Sequence, residues 1–217
     1  MAEIEIRPMR LDDEEAVRKL VCEEYMVREP LQRNLEMEPV RDGNAWFDMV
    51  FPACLKEGLS VVAVDSVFGD VVGFRCVMSV YKDNPQHFNF SKSDPNTRSL
   101  ALTYEAVFGL YKDLDIFTRY GVDKYVNMTG LCVAQKYGRQ GIAVKMVAMA
   151  LDLSRKQNFR VATVETSSRY SARVFEKLGF EKLVEHPYDT MVLDGESMKM
   201  TDDMKYHYCF SLYVKEL

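Results

Sequence analysis

The sequence predicts a mixed α/β fold in one domain, and three observations support this prediction. Short runs of valine and phenylalanine alternate along the chain with longer segments whose apolar residues recur at helical spacing, as expected for strands that alternate with helices. A chain of 217 residues with 47% hydrophobic residues is long enough to bury a sizeable core. No internal repeat and no linker of separate composition divides the sequence, so we expect residues 1–217 to form a single domain.

The chain is predicted to open with a strand and a helix. Ile4 and Ile6 alternate with charged residues, which is the pattern of a half-buried strand. After Leu11, four acidic residues suit the first turn of a helix, where carboxylates meet the positive end of the helix dipole. This helix should end before Pro30, because the residue that precedes a proline is disfavoured in the helical conformation.

A second helix and a hairpin are predicted next. Apolar spacing favours a helix at Asn44–Lys56. Leu59–Val64 and Val71–Tyr81 are rich in valine and phenylalanine and are separated by a turn that contains Gly69, so they predict two paired strands. Lys82–Asn96 contains two prolines and many polar residues, and it predicts an unusually long loop of a kind that is often functional.

The C-terminal half is predicted to alternate strands and helices around one buried strand. Tyr125–Val133 is apolar apart from Asn127 and Thr129, as expected of a central strand that is covered on both faces. Gly179 closes the last predicted helix. The remaining predicted elements are helices at Arg98–Tyr120, from Gly141 to Gln157 and at Ser171–Leu178, and strands at Val161–Val164, Phe180–Glu185 and Tyr206–Val214.

The charge balance argues against two classes of partner. The sequence holds 28 Lys and Arg against 33 Asp and Glu, a formal net charge of −5. Proteins that bind nucleic acid or an anionic membrane usually carry the opposite balance, so we expect neither partner. The first residues lack the basic start and apolar run of a signal peptide, and no apolar stretch approaches the roughly 20 residues of a membrane-spanning helix. Monomer is the default expectation for the oligomeric state.

The cysteines and histidines predict a reducing compartment and no metal site. Five cysteines are scattered along the chain without a C-x-x-C pair, which is typical of buried thiols in the cytosol, so we expect a cytoplasmic protein. His207 and Cys209 alternate on a predicted strand and would face the same side, but two ligands do not make a zinc site. We assign no catalytic role to His87, His186 or His207.

One segment has the pattern of an anion site. Leu131–Ala143 runs from a buried strand, through a turn with Gly138 and Gly141, into a helix. Unpaired backbone N–H groups and the dipole at such a helix start bind anions such as a pyrophosphate, and glycine lets the backbone approach the ligand. Arg139 and Lys145 add positive charge. The spacing fits neither a Walker A loop nor a G-x-G-x-x-G loop, and an ordinary tight turn stays open as an alternative.

The same segment resembles that of a known family. Gly138-Arg139-Gln140-Gly141-Ile142-Ala143 resembles the Arg/Gln-x-x-Gly-x-Gly/Ala loop with which the GNAT superfamily of N-acetyltransferases binds the pyrophosphate of acetyl-CoA, although Gly138 replaces the usual Arg or Gln. Ser171–Phe180 resembles the helix and Gly-Phe ending that close the family's cofactor site. The resemblance implies the GNAT fold, a mixed, mostly antiparallel twisted sheet of about seven strands with helices on both faces. It also implies acetyl-CoA as co-substrate, no metal, and a cofactor-binding core at about residues 124–185.

Two further segments resemble the insect arylalkylamine N-acetyltransferase branch. Arg28-Glu29-Pro30-Leu31 is similar to that branch's Asp-Glu-Pro-Leu, and Ser167–Val174 is close to its Ser-Ser-His-Tyr-Ser-Ala-Arg-Val. The resemblance implies transfer of an acetyl group to the primary amine of a small arylalkylamine by direct attack in a ternary complex. A different acceptor, such as a polyamine, an amino acid or a protein amine, stays open, and so does a non-catalytic acyl-CoA-binding protein.

The resemblance also implies roles for particular residues. Acetyl transfer needs a neutral amine, and Glu29 is at the position of the general base that takes the amine proton. Ser167 and Ser171 match serines with catalytic roles in the insect branch, and both would share a face if they lie on one helix. Phe175 stands where many members have a tyrosine that protonates the CoA thiolate. The implied cofactor-binding residues are Leu131, Cys132, Val133, Gly138, Arg139, Gln140, Gly141, Ile142, Ala143, Lys145, Tyr170 and Arg173.

Several of these residues also have a simpler alternative. Glu29 could be a solvated surface glutamate, since most glutamates are exposed. Cys132 fits a packing role better than an acyl-cysteine nucleophile, because no histidine adjoins it; with Val133 it lies where the family holds the thioester oxygen by backbone N–H groups. Tyr170 could be a packed aromatic residue and Arg173 a surface charge, and the sequence favours these roles no less than contacts with CoA. Aromatic residues that would flank an amine pocket, or else belong to the core, are Tyr25, Phe47, Phe108, Tyr111 and Phe117.

Overall fold

A seven-stranded sheet is the centre of the fold in this computed structural model, which describes residues 3–84, 92–94 and 96–217. Across the sheet, the strand order is β1-β2-β3-β4-β5-β9-β6, and the short strands β7 and β8 form a separate hairpin. The strands are β1 (Ile4–Pro8), β2 (Val61–Asp65), β3 (Val71–Tyr81), β4 (Lys124–Val133), β5 (Val161–Thr166), β6 (Glu181–Pro187), β7 (Val192–Leu193), β8 (Glu196–Ser197) and β9 (Cys209–Glu216).

The sheet is antiparallel except between β4 and β5. These two strands run parallel and pair only where Val126 meets Ala162 and Asn127 meets Thr163. Toward their C-terminal ends the ladder between them stops, while β4 stays paired with β3 and β5 stays paired with β9. The sheet therefore opens between β4 and β5. The predicted mixed, mostly antiparallel sheet and the predicted hairpin of β2 and β3 are both confirmed.

Helices cover both faces of the sheet. A side chain at Gly73 of β3 would meet Met146 on one face, and a side chain at Gly130 of β4 would meet Trp46 on the other. The helices are α1 (Glu14–Leu20), α2 (Met26–Arg28), α3 (Pro30–Asn34), α4 (Pro39–Lys56), α5 (Arg98–Tyr111), α6 (Ile116–Tyr120), α7 (Ile142–Lys156), α8 (Arg169–Lys177) and α9 (Asp202–His207). Thus α7 packs on one face, against β1 to β4, and α4 packs on the opposite face, against β3.

The first helical segment contains a wider turn that the sequence analysis missed. A 3-10 turn at Leu11–Asp13 leads into α1, and Val21–Tyr25 then forms a π turn before α2. The segment ends at Arg28 as predicted, because Glu29 is extended (φ −74°, ψ 121°) in front of Pro30. The helix α3 was also missed. It begins at Pro30 because proline is favoured at the first position of a helix, where no N–H bond is lost.

Two predicted helix boundaries were wrong. The helix α4 begins at Pro39 rather than at Asn44, because the Glu38 side chain caps it by accepting two backbone N–H bonds. The predicted helix Arg98–Tyr120 is in fact two helices, α5 and α6. Asp115 caps the start of α6 in the same way, so a new helix begins at Ile116 although the apolar spacing continues.

The predicted strand Tyr206–Val214 also starts later than expected. Tyr206 and His207 are the last residues of α9, whose start is capped by Thr201. The strand β9 begins at Cys209, so His207 and Cys209 do not alternate on one strand. The acidic pair that follows Thr201 favours a helix start, which explains why a helix forms here.

Part of the predicted long loop lies outside the described residues. Residues 82–84 form a turn after β3, and residues 85–91 and 95 belong to the part of the chain that is not described. A functional role of the loop therefore stays a prediction. His87 lies outside the described residues too.

All five cysteines are buried and unpaired, as expected of thiols that act as small hydrophobic residues. Three of them, Cys54, Cys76 and Cys132, belong to the core that fills the space between the sheet and the helices. Within the described ranges, no helix has the length and apolarity needed to cross a membrane.

Gly73 marks a close approach between β3 and β4. A Cβ atom at this position would lie 2.9 Å from the carbonyl oxygen of Cys132 and 3.2 Å from Cε of Met146. The carbonyl cannot move aside without disturbing the ladder. We therefore expect Gly73→Ala to lower the free energy of unfolding by about 1–3 kcal/mol, as other overpacked core substitutions do. Urea unfolding followed by circular dichroism measures this change.

Gly109→Ala is the matched control for this substitution. Gly109 lies in α5, and the nearest atom to its Cβ position is 3.6 Å away on His186. Alanine should raise the free energy of unfolding by about 0.5–1 kcal/mol, because glycine weakens a helix interior. If Gly73→Ala were as stable as Gly109→Ala, the close approach would not constrain the sheet.

Candidate active site

Two cavities meet where β4 and β5 part. The first, here called the aromatic cavity, has a volume of about 350 Å³ and borders α4 and α5. The second, here called the strand-end cleft, has a volume of about 270 Å³ and borders α7 and α8 on the opposite face. Molecules bound in the two cavities would therefore meet across the opening in the sheet. The cavities share a common wall of five residues, which are Tyr25, Glu29, Thr129, Glu165 and Ser167.

The aromatic cavity combines aromatic rings with carboxylates. Glu29, Asp115 and Glu165 contribute acidic groups, and no Lys, Arg or His is found among its described lining residues. Phe47, which was predicted to flank this cavity, instead stacks on Phe51 in the core with ring centroids 4.5 Å apart. The aromatic residues that line the cavity are Tyr25, Trp46, Tyr104, Phe108, Tyr111, Phe117, Tyr125 and Phe210.

The strand-end cleft is formed by the end of β4 and the start of α8. Five of the predicted cofactor-binding residues line it, namely Leu131, Cys132, Val133, Ala143 and Tyr170. Further predicted residues lie outside this lining: Gly138, Arg139, Gln140, Gly141 and Lys145 are exposed on the turn before α7 and on its first turns, Ile142 is buried in the core, and Arg173 borders a smaller cavity beside α8.

Glu29 lies in the common wall between the end of α2 and the start of α3. Its Oε2 atom accepts the backbone N–H of Gln32 at 2.7 Å and so caps α3. Burial raises the pKa of Glu29 from 4.5 to about 7, although the N–H groups of Gln32 and Leu31 act in the opposite direction. A carboxyl group with a pKa near neutrality is suited to take up and release a proton at physiological pH.

Glu165 is a second carboxyl group in the common wall, and the sequence analysis missed it. Its Oε1 atom accepts hydrogen bonds from Asn127 Nδ2, at 2.8 Å, and from the Tyr111 hydroxyl. Burial raises the pKa of Glu165, while these two bonds lower it. The predicted strand ended at Val164, two residues before the end of β5 at Thr166, and so left out Glu165. A carboxylate inside an otherwise buried strand was the signal that could have revealed this residue.

The two predicted serines have different positions. Ser167 precedes α8 and lines both cavities, and its carbonyl accepts the Tyr188 hydroxyl at 2.8 Å. Ser168 caps α8 by accepting the Ser171 N–H at 3.2 Å, and Ser171 Oγ donates to the Ser168 carbonyl at 2.9 Å. The condition for a shared helix face is not met, because α8 starts at Arg169 and Ser167 precedes it. Of the two, only Ser167 reaches the common wall.

Arg28 joins the first helical segment to the end of β4. Its Nη2 atom donates to the Val133 carbonyl at 2.7 Å, contacts Cys132 Sγ at 3.4 Å and pairs with Glu24 at 3.1 Å. Burial raises the pKa of Cys132 to about 12, although Arg28 lowers it. The thiol is therefore protonated at neutral pH and is a poor nucleophile, which favours its packing role.

The turn before α7 has the geometry of an anion site. Gly141, at φ 74°, precedes the helix without capping it by a side chain, and Arg139 is also left-handed at φ 61°. The first N–H groups of a helix have no partner within it. A Cβ atom at Gly141 would meet no atom within 4 Å, so the space beside this glycine is open.

The positive charges of Arg139 and Arg173 act on Tyr170, which lines the strand-end cleft. Tyr170 is 62% exposed, and its ring lies 5.7 Å from that of Tyr206. The pKa of Tyr170 is raised, mainly by a hydrogen bond with Tyr206, whereas the positive charges of Arg139 and Arg173 lower it. Both guanidinium groups therefore contribute positive charge to the surroundings of this exposed ring. Two arginines beside an exposed aromatic ring suit a ligand that carries phosphates and a base.

One histidine beside this site makes a structural contact. His207 Nδ1 accepts the Arg169 N–H at 3.2 Å and so supports the start of α8. Among the described residues, no group of three or more His, Cys, Asp and Glu side chains could hold a metal ion.

The fold and the site together define a protein with two cavities that meet at an opening between parallel strands. A family model described as an acetyltransferase (GNAT) domain matches residues 79–201, more than half of the chain. The chain therefore belongs to the GNAT acetyltransferase family. A search of curated protein sequences gave no significant match.

Several solved structures share this fold. Arylalkylamine N-acetyltransferase 2 from Aedes aegypti has a TM-score of 0.83 and 19% identity, with 99% of each chain covered. A polyamine N-acetyltransferase from Drosophila melanogaster, which forms N-acetylagmatine, has a TM-score of 0.76 and 16% identity over 99% of this chain and 100% of that chain. NAA60 from Arabidopsis thaliana, in complex with acetyl-CoA, has a TM-score of 0.58 and 15% identity over 99% of both chains. At these identities the likeness concerns the fold.

The raised pKa of Glu29 makes the stability of the protein depend on pH. The carboxyl group ionises near pH 4.5 in the unfolded chain and near pH 7 in the folded protein, so the folded state keeps a proton between these values. The stability that the protonated Glu29 carboxyl group contributes is therefore fully present below pH 4.5 and is lost as the pH rises through 7. A shift of this size corresponds to about 3 kcal/mol.

Glu29→Gln removes this titration and keeps an oxygen that can accept the Gln32 N–H. As the pH rises from 4.5 to 8, the wild type should lose about 3 kcal/mol of unfolding free energy that the variant keeps. Guanidinium unfolding at several pH values measures the difference. Glu36→Gln, at an exposed position, is the control. A difference between wild type and Glu29→Gln that stays constant with pH would refute the raised pKa.

Proposed function

We propose that the protein transfers the acetyl group of acetyl-CoA to the primary amine of a small arylalkylamine, by direct attack in a ternary complex. The observation that carries this proposal is the common wall. One cavity opens on each face of the sheet, and a carboxyl group with a pKa of about 7, Glu29, belongs to both. The proposal treats the chain as a single acetyltransferase domain that acts as a monomer in the cytosol. Five unpaired cysteines support a reducing compartment.

The strand-end cleft and the turn before α7 fit acetyl-CoA. The open space in front of Gly141 and the free helix start suit a pyrophosphate, with Arg139, Gln140 and Lys145 beside it. The backbone of Leu131, Cys132 and Val133 lines the cleft where an extended chain can run toward the common wall. Gly138, Ile142 and Ala143 would contribute through the turn and the first turn of α7, and Tyr170 and Arg173 from α8. Bound acetyl-CoA would supply the activated thioester.

The residues of the common wall would carry out the proton transfer. An alkylammonium has a pKa near ~10, so a base must remove its proton before it can attack. Glu29 is proposed as this base, directly or through a water molecule. Backbone N–H groups at Cys132 and Val133 would stabilise the charge that develops on the thioester oxygen. Ser167 would orient the groups that meet at the wall by hydrogen bonding, and Ser171 would act through its contacts with Ser168.

The aromatic cavity supports an aromatic amine as the acceptor. Its rings offer apolar surface and edge-to-face contacts to an aryl group, and its volume of about 350 Å³ suits a small molecule. Its acidic groups would attract the ammonium group of the incoming amine. This combination of rings and negative charge is what an arylalkylamine requires.

A polyamine is the second candidate acceptor. Besides Glu29, the aromatic cavity contains Glu165 and the exposed Asp115, and its described lining has no basic side chain. A second ammonium or guanidinium group of an elongated amine could pair with these carboxylates. Both candidates are cations, so the charge alone does not separate them.

Release of CoA thiol across a panel of amines tests the proposal. The panel includes phenethylamine and tryptamine as arylalkylamines, putrescine and agmatine as polyamine-type acceptors, and an amino acid. The highest kcat/KM with the arylalkylamines is expected. A preference for putrescine or agmatine would favour the second candidate. Saturable CoA binding without turnover of any amine would instead indicate a non-catalytic acyl-CoA-binding protein.

Glu29→Gln should lower kcat/KM for the amine by roughly 10²–10⁴-fold, because the general base is lost. In the wild type, kcat/KM should rise with pH as a group of pKa about 7 loses its proton. This rise should be absent in Glu29→Gln. The pH profile of initial rates measures both effects, with Glu36→Gln as the control of equal charge change. Full activity of Glu29→Gln would rule out this base.

Gly141→Ala should weaken acetyl-CoA binding about tenfold or more, because a left-handed residue other than glycine costs roughly 1–2 kcal/mol and shifts the turn. Isothermal titration with CoA measures the affinity. Gly195→Ala carries the same backbone strain, at φ 80°, but lies in the turn between β7 and β8. It should lose stability without losing affinity. Equal affinities of the two variants would argue against a phosphate site at this turn.

A further inference from the structure

An arginine is buried in the strand-end cleft without hydrogen-bond partners for two of its nitrogens. Arg75 is the only charged residue of β3, pairs with Leu131 of β4 and is 1% exposed. Its side chain lines the cleft. Within the described part of the chain, Nε and Nη2 of Arg75 have no hydrogen-bond partner. Such donors are normally satisfied inside a protein, so this position is set up to receive a ligand atom.

Arg75 carries its positive charge at neutral pH. Burial lowers the pKa of Arg75 from 12.5 to about 10, while Cys76, Tyr25, Glu165 and Cys54 raise it. These are the titratable groups that act on it from β3, the π turn, β5 and α4. A buried charge that lacks hydrogen-bond partners destabilises a fold, so stability does not account for Arg75. Buried charges in a cleft are typical of functional sites.

The guanidinium group of Arg75 lies over the ring of Phe175. Its Cζ atom is 5.3 Å from the ring centroid, and Phe175 is itself 1% exposed in the same cleft. Phe175 occupies the position where the family resemblance implies a tyrosine that protonates the departing thiolate. A phenyl ring cannot donate a proton. The cleft therefore has a fixed cation next to the position from which the usual acid is missing.

Two other polar side chains of the cleft already have hydrogen-bond partners. Arg28 donates to the Val133 carbonyl and pairs with Glu24. Ser171 donates to the Ser168 carbonyl. Among the described groups, Arg75 is thus the buried cation with donors left to offer.

We propose that Arg75 stabilises the thiolate of CoA as it leaves during acetyl transfer. This inference rests on the proposed binding of acetyl-CoA in the strand-end cleft. Glu29 first takes one proton from the ammonium group. The lone pair of the neutral amine then forms the C–N bond, the C–S bond breaks with its electron pair on sulfur, and the second N–H proton passes to solvent water. The guanidinium group donates hydrogen bonds to the sulfur anion and transfers no proton. The thiolate takes a proton from water after release.

A fixed cation is sufficient for this leaving group. A CoA thiol has a pKa near ~8.5 by analogy with cysteine, so its anion needs charge stabilisation more than it needs an acid. An arginine in a buried site provides this without having to reorganise during the reaction. The interaction forms as the C–S bond breaks and is absent with the intact thioester, so it should affect kcat rather than the affinity for acetyl-CoA.

The pKa of the CoA thiol in the complex tests the proposal directly. It is measured by the ultraviolet absorbance of the thiolate during a pH titration of the enzyme–CoA complex. In the wild type, we expect a thiol pKa about one to two units below that of free CoA. Arg75→Met should abolish this shift, and Arg75→Lys should keep most of it. The same thiol pKa in the wild type and in Arg75→Met would overturn the proposal.

Two further measurements separate this role from a structural one. Desulfo-CoA lacks the thiol, and its affinity should be the same within about twofold in the wild type and in Arg75→Met. The Tm of Arg75→Met should equal or exceed that of the wild type, because an unpartnered buried charge is removed. A lower Tm together with weaker desulfo-CoA binding would assign Arg75 a structural role and overturn the proposal.

Steady-state kinetics complete the test. Arg75→Met should lower kcat by about 10²-fold while the KM for acetyl-CoA changes little, as for other lost charge-stabilising donors. If Arg75→Met does not fold, Arg75→Lys decides, and a bound thiol pKa equal to that of free CoA in this variant overturns the proposal. CoA that binds with an unshifted thiol pKa refutes only the role of Arg75. Failure of the wild type to bind CoA refutes the proposed function as well.

Discussion

The interrupted pairing of β4 and β5 is the constraint on which the rest of the structure depends. The ladder stops after Asn127 and Thr163, so the two strand ends leave polar backbone and side chains facing an opening rather than each other. Helices on the two faces then close separate cavities over that opening, and five residues belong to both. A fully paired sheet would have buried the same residues in one continuous core and would have kept the two faces apart.

Burial at this opening gives the ionisable groups unusual properties. Desolvation raises the pKa of Glu29 and of Glu165 and lowers that of Arg75, because each loses water without gaining a close ion pair. The aromatic cavity is lined by Glu29, Asp115 and Glu165 and by no described basic residue, whereas the strand-end cleft also has Arg28 and Arg75 in its lining. The basic residues of the described lining therefore lie on the cleft side only, while Glu29 and Glu165 belong to both cavities.

Much of the fold could be predicted from the sequence, because strands such as Val71–Tyr81 and the glycine turn before α7 are determined by local patterns. The predicted helix boundaries were wrong where a side-chain cap sets the first residue of a helix. Glu38 caps α4 and Asp115 caps α6, and the apolar spacing around these positions does not reveal either cap. At the site, Glu29 and Ser167 were predictable from motif resemblance. Arg75 and Glu165 could not be predicted in this way. Each is the single charged residue of its strand, and the side chains that surround it come from segments distant in the sequence.

The π turn at Val21–Tyr25 has a consequence for how the sequence can vary. A π turn holds one residue more than the corresponding α turn, and each residue added to a helix rotates the subsequent residues by about 100°. That added rotation brings Tyr25 and Glu29 to the common wall and aims Arg28 at the end of β4. The positions of Tyr25, Arg28 and Glu29 therefore depend on the number of residues in this segment more than on their identity. A single deletion between Leu20 and Glu29 would turn the carboxyl group away from both cavities and leave the rest of the fold intact.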